Sequence, residues 1–591
     1  MKTKLKEIWG KTDDILFRYP MVLTMALIAA ISAVVAIEID HQPNQFMATK
    51  LAFTGCLGIS VMFGIKMLSQ RIGKEFLFEI FGTAFLFWFF FYLPNSEKNF
   101  TEIHGYVIAC LVIITHLFVS FAGFINKIPE TNFWQYNKNL FINIFLTAVF
   151  TGVLVLGVEL AILAVDKLFD FNFNSTLYPK TFFFLSILGS AFIFLIFNDK
   201  GLLELEKDGN YPQILKFFTQ FVLIPLLLIY SVILYLYAGK ILLHWELPRG
   251  WVSYLVLIYS VVGTLALLLV HPLKEDSAKS WVRIFSKIFY YTLLPLLVLL
   301  FVAIFTRILE YGYTEPRYFV LLLAIWLTTV VLYFVIFKKN TIKFIPISLF
   351  VFGVFALIFP YFNAFSSAKR SQKAELQNIL TQNKLLENGK INFNKTVQDS
   401  VAIEIANKFE FLNKRKEGDF LLSYISAKET PQFKKIFEEK NYTTFLEVRS
   451  KFKNIKYNKD PKNGEAYTRL NIYIRNFNYA ISGYQQLFKV ANYNHQEFSF
   501  DGNSFKIYGF NNQLTLNFNQ QIIDLSPEIN KIIAPYQNRE KEIIVDEISF
   551  TKTVGKYELK FLIAGIDYNK YAGKRGEYYI NQDIIVLIKK L

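Results

Sequence analysis

Residues 224–261 read IPLLLIYSVILYLYAGKILLHWELPRGWVSYLVLIYSV, two apolar runs joined by a short polar loop. Each run has the roughly 20 residues that an α-helix needs to cross about 30 Å of hydrocarbon. Working outward, the same alternation fills the chain from its start to about residue 366. Eleven spans are expected, at about 20–38, 50–68, 76–94, 105–125, 139–165, 181–198, 217–239, 251–271, 284–306, 318–337 and 344–363. Pro20–Ile37 could serve as a signal-peptide core. However, nearly twenty residues precede it, Asp13 and Asp14 among them, and no small-residue cleavage site follows, so a retained helix is expected. Beyond residue 366 no run approaches spanning length. The expected fold is a polytopic α-helical membrane protein with a C-terminal soluble α+β domain, divided at 366/367.

Composition agrees. Hydrophobic residues make up 53% of the 591, and charged residues only 19%, against about 25% in soluble proteins. Mean hydropathy is +0.32. Disordered, collagenous and coiled-coil classes are excluded. The two cysteines, Cys56 and Cys110, both lie in apolar runs, so no disulfide framework is expected. Orientation follows the distribution of Lys and Arg. With the N-terminus in the cytoplasm, the inner loops and the N-terminal segment hold twenty of these residues and the outer loops eight. An odd span count then puts the tail outside, and one span more or fewer reverses it.

Residues 294–329, LPLLVLLFVAIFTRILEYGYTEPRYFVLLLAIWLTT, resemble the opening stretch. Pro225 and Pro295 stand 70 residues apart. Each outer loop closes on an acid, a proline and an arginine: Glu246, Pro248, Arg249 and Glu315, Pro316, Arg317. Both pairs run the same way, so 217–271 and 284–337 read as a parallel helix-pair repeat. The alternative is chance likeness between leucine-rich spans with Pro-Arg helix starts. Tyr311, Gly312, Thr314, Arg317 and Tyr318, together with NKIPETNFWQYNKNLFINIFLTAVFTGVLVLGVELAILAVDKLF from Asn126, carry a further likeness. The membrane region resembles a bacterial multi-pass family catalogued as domain of unknown function 4153. The resemblance implies a polytopic inner-membrane protein and brings no activity, cofactor or catalytic residue with it.

Ionisable groups inside spans cost about 2.5–3.5 kcal/mol or more at the bilayer centre, so each needs a partner or a purpose. Glu79, His116 and Glu159 are the candidates for a polar pathway. Their bland readings are an interfacial acid near Lys74, a histidine bonded to a neighbouring carbonyl, and an acid reaching toward Lys167. The loop Arg307–Tyr318 is the densest polar cluster of the membrane region. Arg307, Glu310 and Arg317, with Arg249 of the first helix pair, form a candidate outer-face anion site. The bland reading is a helix–turn–helix connection, with Gly312 as helix stop, Thr314 as cap and Pro316 in the first turn.

No phosphate loop, His-Glu-x-x-His or Cys-x-x-Cys occurs, and the tail has only His495. No metal, cofactor or catalytic residue is expected. Glu38, Asp40 and His41 after the first span keep a membrane-embedded transferase with a lipid-linked donor as an alternative, by analogy alone. In the tail, Ser367–Leu386, Val397–Lys414 and Gln432–Lys453 read as helices, and from about Tyr467 alternation with Ile, Val, Phe and Tyr reads as a mainly antiparallel sheet. Its net charge of +10 is spread among interleaved acids, so nucleic acid is not an expected partner. Membrane lipids, other envelope proteins and glycans are. The leading expectation is a non-enzymatic scaffold, sensor or transport-accessory protein of the bacterial cytoplasmic membrane. A transporter of a small or anionic solute is the second.

Overall fold

The apolar runs become helices whose ends fall at the polar loops. The computed structural model describes residues 12–39, 44–126, 128–207, 213–244, 251–274, 280–337, 339–438, 443–452, 454–456, 467–474, 480–490, 496–510, 513–536, 542–571 and 577–591. Among these, ten helices are long and apolar enough to cross a membrane. They are α1 (Pro20–Glu38), α2 (Gln45–Ile72), α3 (Glu75–Tyr92), α4 (Glu102–Phe121), α5 (Glu130–Phe169), α6 (Leu177–Phe197), α7 (Lys216–His244), α8 (Trp251–Val270), α9 (Ser280–Tyr311) and α10 (Glu315–Ile336). The eleventh expected span is a shorter apolar helix, α11 (Phe344–Ile358). At 15 residues it is about 22 Å long, short of the ~30 Å hydrocarbon thickness. In contrast, the 40 residues of α5 run about 60 Å, well past one bilayer.

The helices pack by two means. The first is small residues at close crossings: a Cβ added to Gly55 of α2 would lie 2.8 Å from the Cβ of Ala29 on α1. The second is large apolar clusters. One gathers Val22, Met62, Phe89, Val119 and Tyr136 from the first five helices, and another gathers Leu234, Val256, Phe289, Leu300 and Leu327 from α7–α10. The proline helices differ in detail. Pro225 follows a π-helical turn, Thr219–Leu223, whose extra residue makes room for a ring that would otherwise strike the carbonyl four residues back. Pro295 sits inside an α-helix that is regular from Ser280 to Tyr311. α11 joins α10 through a hydrogen bond from Trp326 Nε1 to Ser348 Oγ at 3.0 Å, and its Gly353 abuts Ile114 of α4.

The chain then forms α12 (Ala364–Gln382), α13 (Asp399–Asn413), α14 (Gly418–Leu422), α15 (Thr430–Glu438) and α16 (Thr443–Lys451). α12 starts at Asn363, whose side chain accepts the Ser366 amide at 2.8 Å. Leu376, Ile379 and Leu380 form its buried face. The division into compact units falls elsewhere than at residue 366. One unit comprises 1–392 with 405–448, the other 393–404 with 449–591. Most of the helical part of the tail thus belongs with the spanning helices, for reasons that lie in the polar contacts described below.

A two-stranded hairpin, β1 (Leu386–Glu387) and β2 (Lys390–Ile391), follows α12. The second unit is built on strands, beginning with the parallel pair β3 (Thr396–Gln398) and β4 (Asn454–Lys456). β7 (Gln496–Phe500), β8 (Asn503–Phe510), β9 (Gln513–Phe518) and β10 (Gln521–Asp524) form an antiparallel four-stranded sheet. A second sheet is made of β5 (Tyr467–Ile474), β6 (Gln486–Val490), β11 (Glu542–Val545), β12 (Ser549–Val554), β13 (Tyr557–Tyr571) and β14 (Glu577–Lys590). Its order is β11-β5-β13-β14-β6, with β12 paired to β13. Within this sheet β5 and β11 pair in parallel. The β7–β8 turn uses Asp501 and Gly502 at φ 51° and 73°, as a two-residue hairpin requires. Phe498 stacks on Phe488 and Phe505 meets Tyr557, so both sheets share one core, with Ile529 and Ile533 of a short helix (Ser526–Ile533) completing it.

That core is drawn wholly from Leu470 to Ile588. A fragment from Arg449 to Leu591 is therefore expected to fold in water. Circular dichroism should show a β-rich spectrum and a cooperative thermal transition, whereas a featureless melt would mean that this core depends on the rest of the chain.

Candidate functional site

The polar groups converge where α9 turns into α10. α9 ends at Tyr311 because Gly312 takes φ +73°, and its amide donates back to Ile308 O at 2.8 Å. A helix end leaves carbonyls without partners. Here Tyr311 O accepts from Lys408 Nζ at 2.9 Å, Gln372 Nε2 at 3.0 Å and Arg317 Nη1 at 3.3 Å. Arg317 Nη1 also donates to Gly312 O at 2.7 Å, and Gln372 to Tyr313 O at 2.8 Å. Gln372 and Lys408 are both buried. Cations at this end suit the negative pole of the helix dipole.

The next helix starts with a buried ion pair. Glu315 is 0% exposed, and its carboxylate accepts from Arg415 Nε at 2.6 Å and Nη2 at 2.7 Å. This is a bidentate, charge-assisted pair. Arg415 is 5% exposed, lies 3.5 Å from the Phe411 ring centre, and donates from Nη1 to Phe411 O at 2.9 Å. Its Nη2 reaches Glu102 at the start of α4 at 3.1 Å. Glu102 also meets Lys414 at 3.4 Å, and Lys414 meets Glu410 at 3.0 Å. Nearby, Glu417 accepts from Lys373 at 2.6 Å and Lys369 at 2.9 Å, both on α12. Burial pushes the Glu417 carboxyl up, but the two lysine hydrogen bonds outweigh it and hold the group below the usual glutamate range.

Arg317, expected to face an anion, has its guanidinium on the carbonyls that end α9. Arg307 stands 3.8 Å from Glu310 and close to the Tyr311 ring. Arg249 lies outside the described residues, as do Glu246, Pro248, Asp40 and His41. Glu38 pairs with Lys180. The Thr314 backbone holds the N-cap position of α10, but its side chain makes no capping bond.

Glu79, His116 and Glu159 stand on three helices, and no hydrogen bond joins them among the described residues. Glu79 lies one turn beyond Glu75, which pairs with Lys66. His116 is exposed, with Nδ1 2.7 Å from the Val112 carbonyl of its own helix. Glu159 differs: both carboxylate oxygens are buried without a partner among the described residues. It continues a row at four-residue spacing through Asn143, Thr147, Thr151 and Val155. The hydroxyls of Thr147 and Thr151 are equally unpartnered. Asn143 donates to Phe197 O and Asn198 Oδ1 at the end of α6. α6 carries a π-helical turn at Leu185–Gly189, a feature frequent at functional sites.

Beside the clamp formed by Glu315, Arg415 and Glu102, a cavity of about 500 Å³ opens between α10, α11 and α12. Tyr318 donates to Phe362 O at 2.7 Å and Ser371 Oγ accepts the Tyr313 amide at 2.8 Å, which fixes two of its walls.

Sequence reasoning singled out the 307–318 loop but passed over Glu315 as a site residue. An acid in a first helical turn ordinarily serves the dipole in solvent. Arg415 sits in the polar run NKRKEG and reads as a solvated charge. Only the spatial pairing distinguishes either one.

The profile of a family described as "Domain of unknown function (DUF4153)" matches residues 22–388. An uncharacterised protein of Pasteurella multocida (strain Pm70) is 28% identical over 249 residues, which is 41% of this chain. The matched part is also 41% of that relative's length. No solved structure matches the chain.

Two outcomes follow from the geometry. A Cβ at residue 312 would lie 2.8 Å from Glu375 Cγ and Ser371 Oγ, at a φ that L-residues disfavour. Gly312→Ala should lower stability by about 1–3 kcal/mol, read as a lower midpoint of unfolding in detergent. The depressed Glu417 carboxyl contributes stability that is present above the ordinary glutamate range and lost as pH falls through its lower folded value. The melting-temperature gap between wild type and Glu417→Gln should therefore be full at neutral pH and close in acid. A gap independent of pH would contradict the pairing.

Proposed function

The chain belongs to the DUF4153 family, and from that premise we propose that it is a non-enzymatic scaffold, sensor or transport-accessory protein of the bacterial cytoplasmic membrane. In this reading the N-terminus is cytoplasmic and the strand-rich unit is outside. The observation that carries it is the clamp. Glu315, Arg415 and Glu102 tie residues 405–448 rigidly to the first turns of two spanning helices, α10 and α4. Such a junction passes a load or a binding event from an outer region into the bundle. Its charged groups are spent on one another, as suits a joint more than a reaction centre. The orientation rests on the twenty-to-eight asymmetry of Lys and Arg. Membrane lipids, other envelope proteins and glycans are the proposed partners.

A second reading, transport of a small or anionic solute, is favoured by Glu159. An unpartnered carboxylate within a span is a functional hypothesis by default, and the threonine row leads toward it.

Two measurements separate these. A thiol placed at exposed Lys428 should react with a membrane-impermeant maleimide in intact spheroplasts. Reaction only after lysis would put the clamp in the cytoplasm. In proteoliposomes under a potassium diffusion potential, the scaffold reading expects no protein-dependent proton flux. A flux abolished by Glu159→Gln would establish the second reading in its place.

A further inference from the structure

The cavity beside the clamp changes character along its length. Its lower walls are Leu321, Leu322, Ile325 and Phe355, from α10 and α11. Its rim holds Ser367, Arg370 and Ser371, all on α12. At about 500 Å³ it falls within the ~300–1,000 Å³ of small-molecule sites. Ile325 is exposed, as are Ile358, Phe359, Tyr361 and Phe362 where the chain leaves α11. Aromatic residues at such a point mark the level of lipid headgroups. The apolar end thus lies at the depth of acyl chains and the charged end at the depth of phosphates.

Among the described residues Arg370 is the one cation on this rim, and it is held ready. Its guanidinium lies 3.7 Å from the Tyr361 ring centre, and Nη1 donates to Tyr361 O at 2.7 Å. Its neighbours on α12, Lys369 and Lys373, are both committed to Glu417. No carboxylate among the described residues pairs with Arg370. A fixed guanidinium plane with free N–H groups matches a phosphate, and the two serine hydroxyls beside it add short-range donors.

We propose that this groove binds one anionic phospholipid of the adjoining leaflet. An acyl chain lies along Leu321, Leu322 and Phe355, and the headgroup phosphate is bonded to Arg370. The charge accounts for the phosphate, and the apolar floor accounts for a lipid over a soluble anion. The shortness of α11 accounts for the groove, since a helix of about 22 Å spans only part of the hydrocarbon depth beside it. The lipid would stabilise the packing of α12 against α10 without taking part in the clamp itself.

The test is native mass spectrometry of the full-length protein in detergent, titrated with phosphatidylglycerol. Wild type should retain one lipid that survives activation. Arg370→Gln should weaken retention about tenfold, equivalent to about 1.4 kcal/mol, and Arg370→Lys should keep part of it. Leu322→Trp, which fills the groove, should abolish retention while Arg370 remains. Dioleoylglycerol, lacking the phosphate, should bind no better to wild type than to Arg370→Gln. Arg370 is exposed, so its variants test binding without threatening the fold. Equal retention by wild type, Arg370→Gln and Leu322→Trp would overturn the proposal. So would full displacement of the lipid by inorganic phosphate, which would mark a soluble-anion site.

Discussion

A carboxylate and a guanidinium withdrawn almost completely from water dominate the membrane-associated unit. Removing either ion from water carries a penalty of several kcal/mol, and only good geometry with further hydrogen bonds offsets it. Glu315 and Arg415 have both. Two short bonds join them, Glu102 takes a third, and the Phe411 carbonyl and ring take the remaining face. Much of the surrounding geometry presupposes this pair. With Glu315 held, the 312–314 turn is fixed, the Tyr311 carbonyl meets Gln372 and Lys408, and α12 can pass within contact of Gly312. The groove beside α10 inherits its shape from the same placement, since Tyr313 and Tyr318 form its wall.

The membrane fold was largely legible because spanning helices declare themselves by length and apolarity alone. Gly312 as a stop and the Arg307–Glu310 neighbourhood were also legible, because both are local. The strands of the second unit followed from alternation. What sequence could not supply was partnership. α12 carries Leu376, Ile379 and Leu380 on one face, which announces burial but not the surface that buries it. Those residues pack within the unit of the spanning helices, so the compact division runs through the tail and not ahead of it. Arg317 illustrates the same limit. Its guanidinium caps a helix six residues back, a use that an arginine at an interface does not advertise.

Glu159 and Glu315 show how differently two acids in apolar surroundings can be treated. Glu315 is surrounded by donors and fully satisfied. Glu159 has none and stands at the end of a threonine row against a helix with a widened turn. A satisfied buried charge reads as architecture, and an orphaned one as capacity for change. The two helix pairs likened by sequence also diverge, since the Pro225 helix relieves its proline with a π turn and the Pro295 helix does not.

The central claim is that Glu315 and Arg415 act as one unit holding residues 405–448 to the bundle. A double-mutant cycle on the full-length protein in detergent tests it most directly, with Glu315→Met and Arg415→Met made singly and together. Each single change should destabilise by about 3–5 kcal/mol, because it strands a buried charge. The double variant should lose far less than the sum, with a coupling of about 1.5 kcal/mol or more. Small and additive losses would contradict the account.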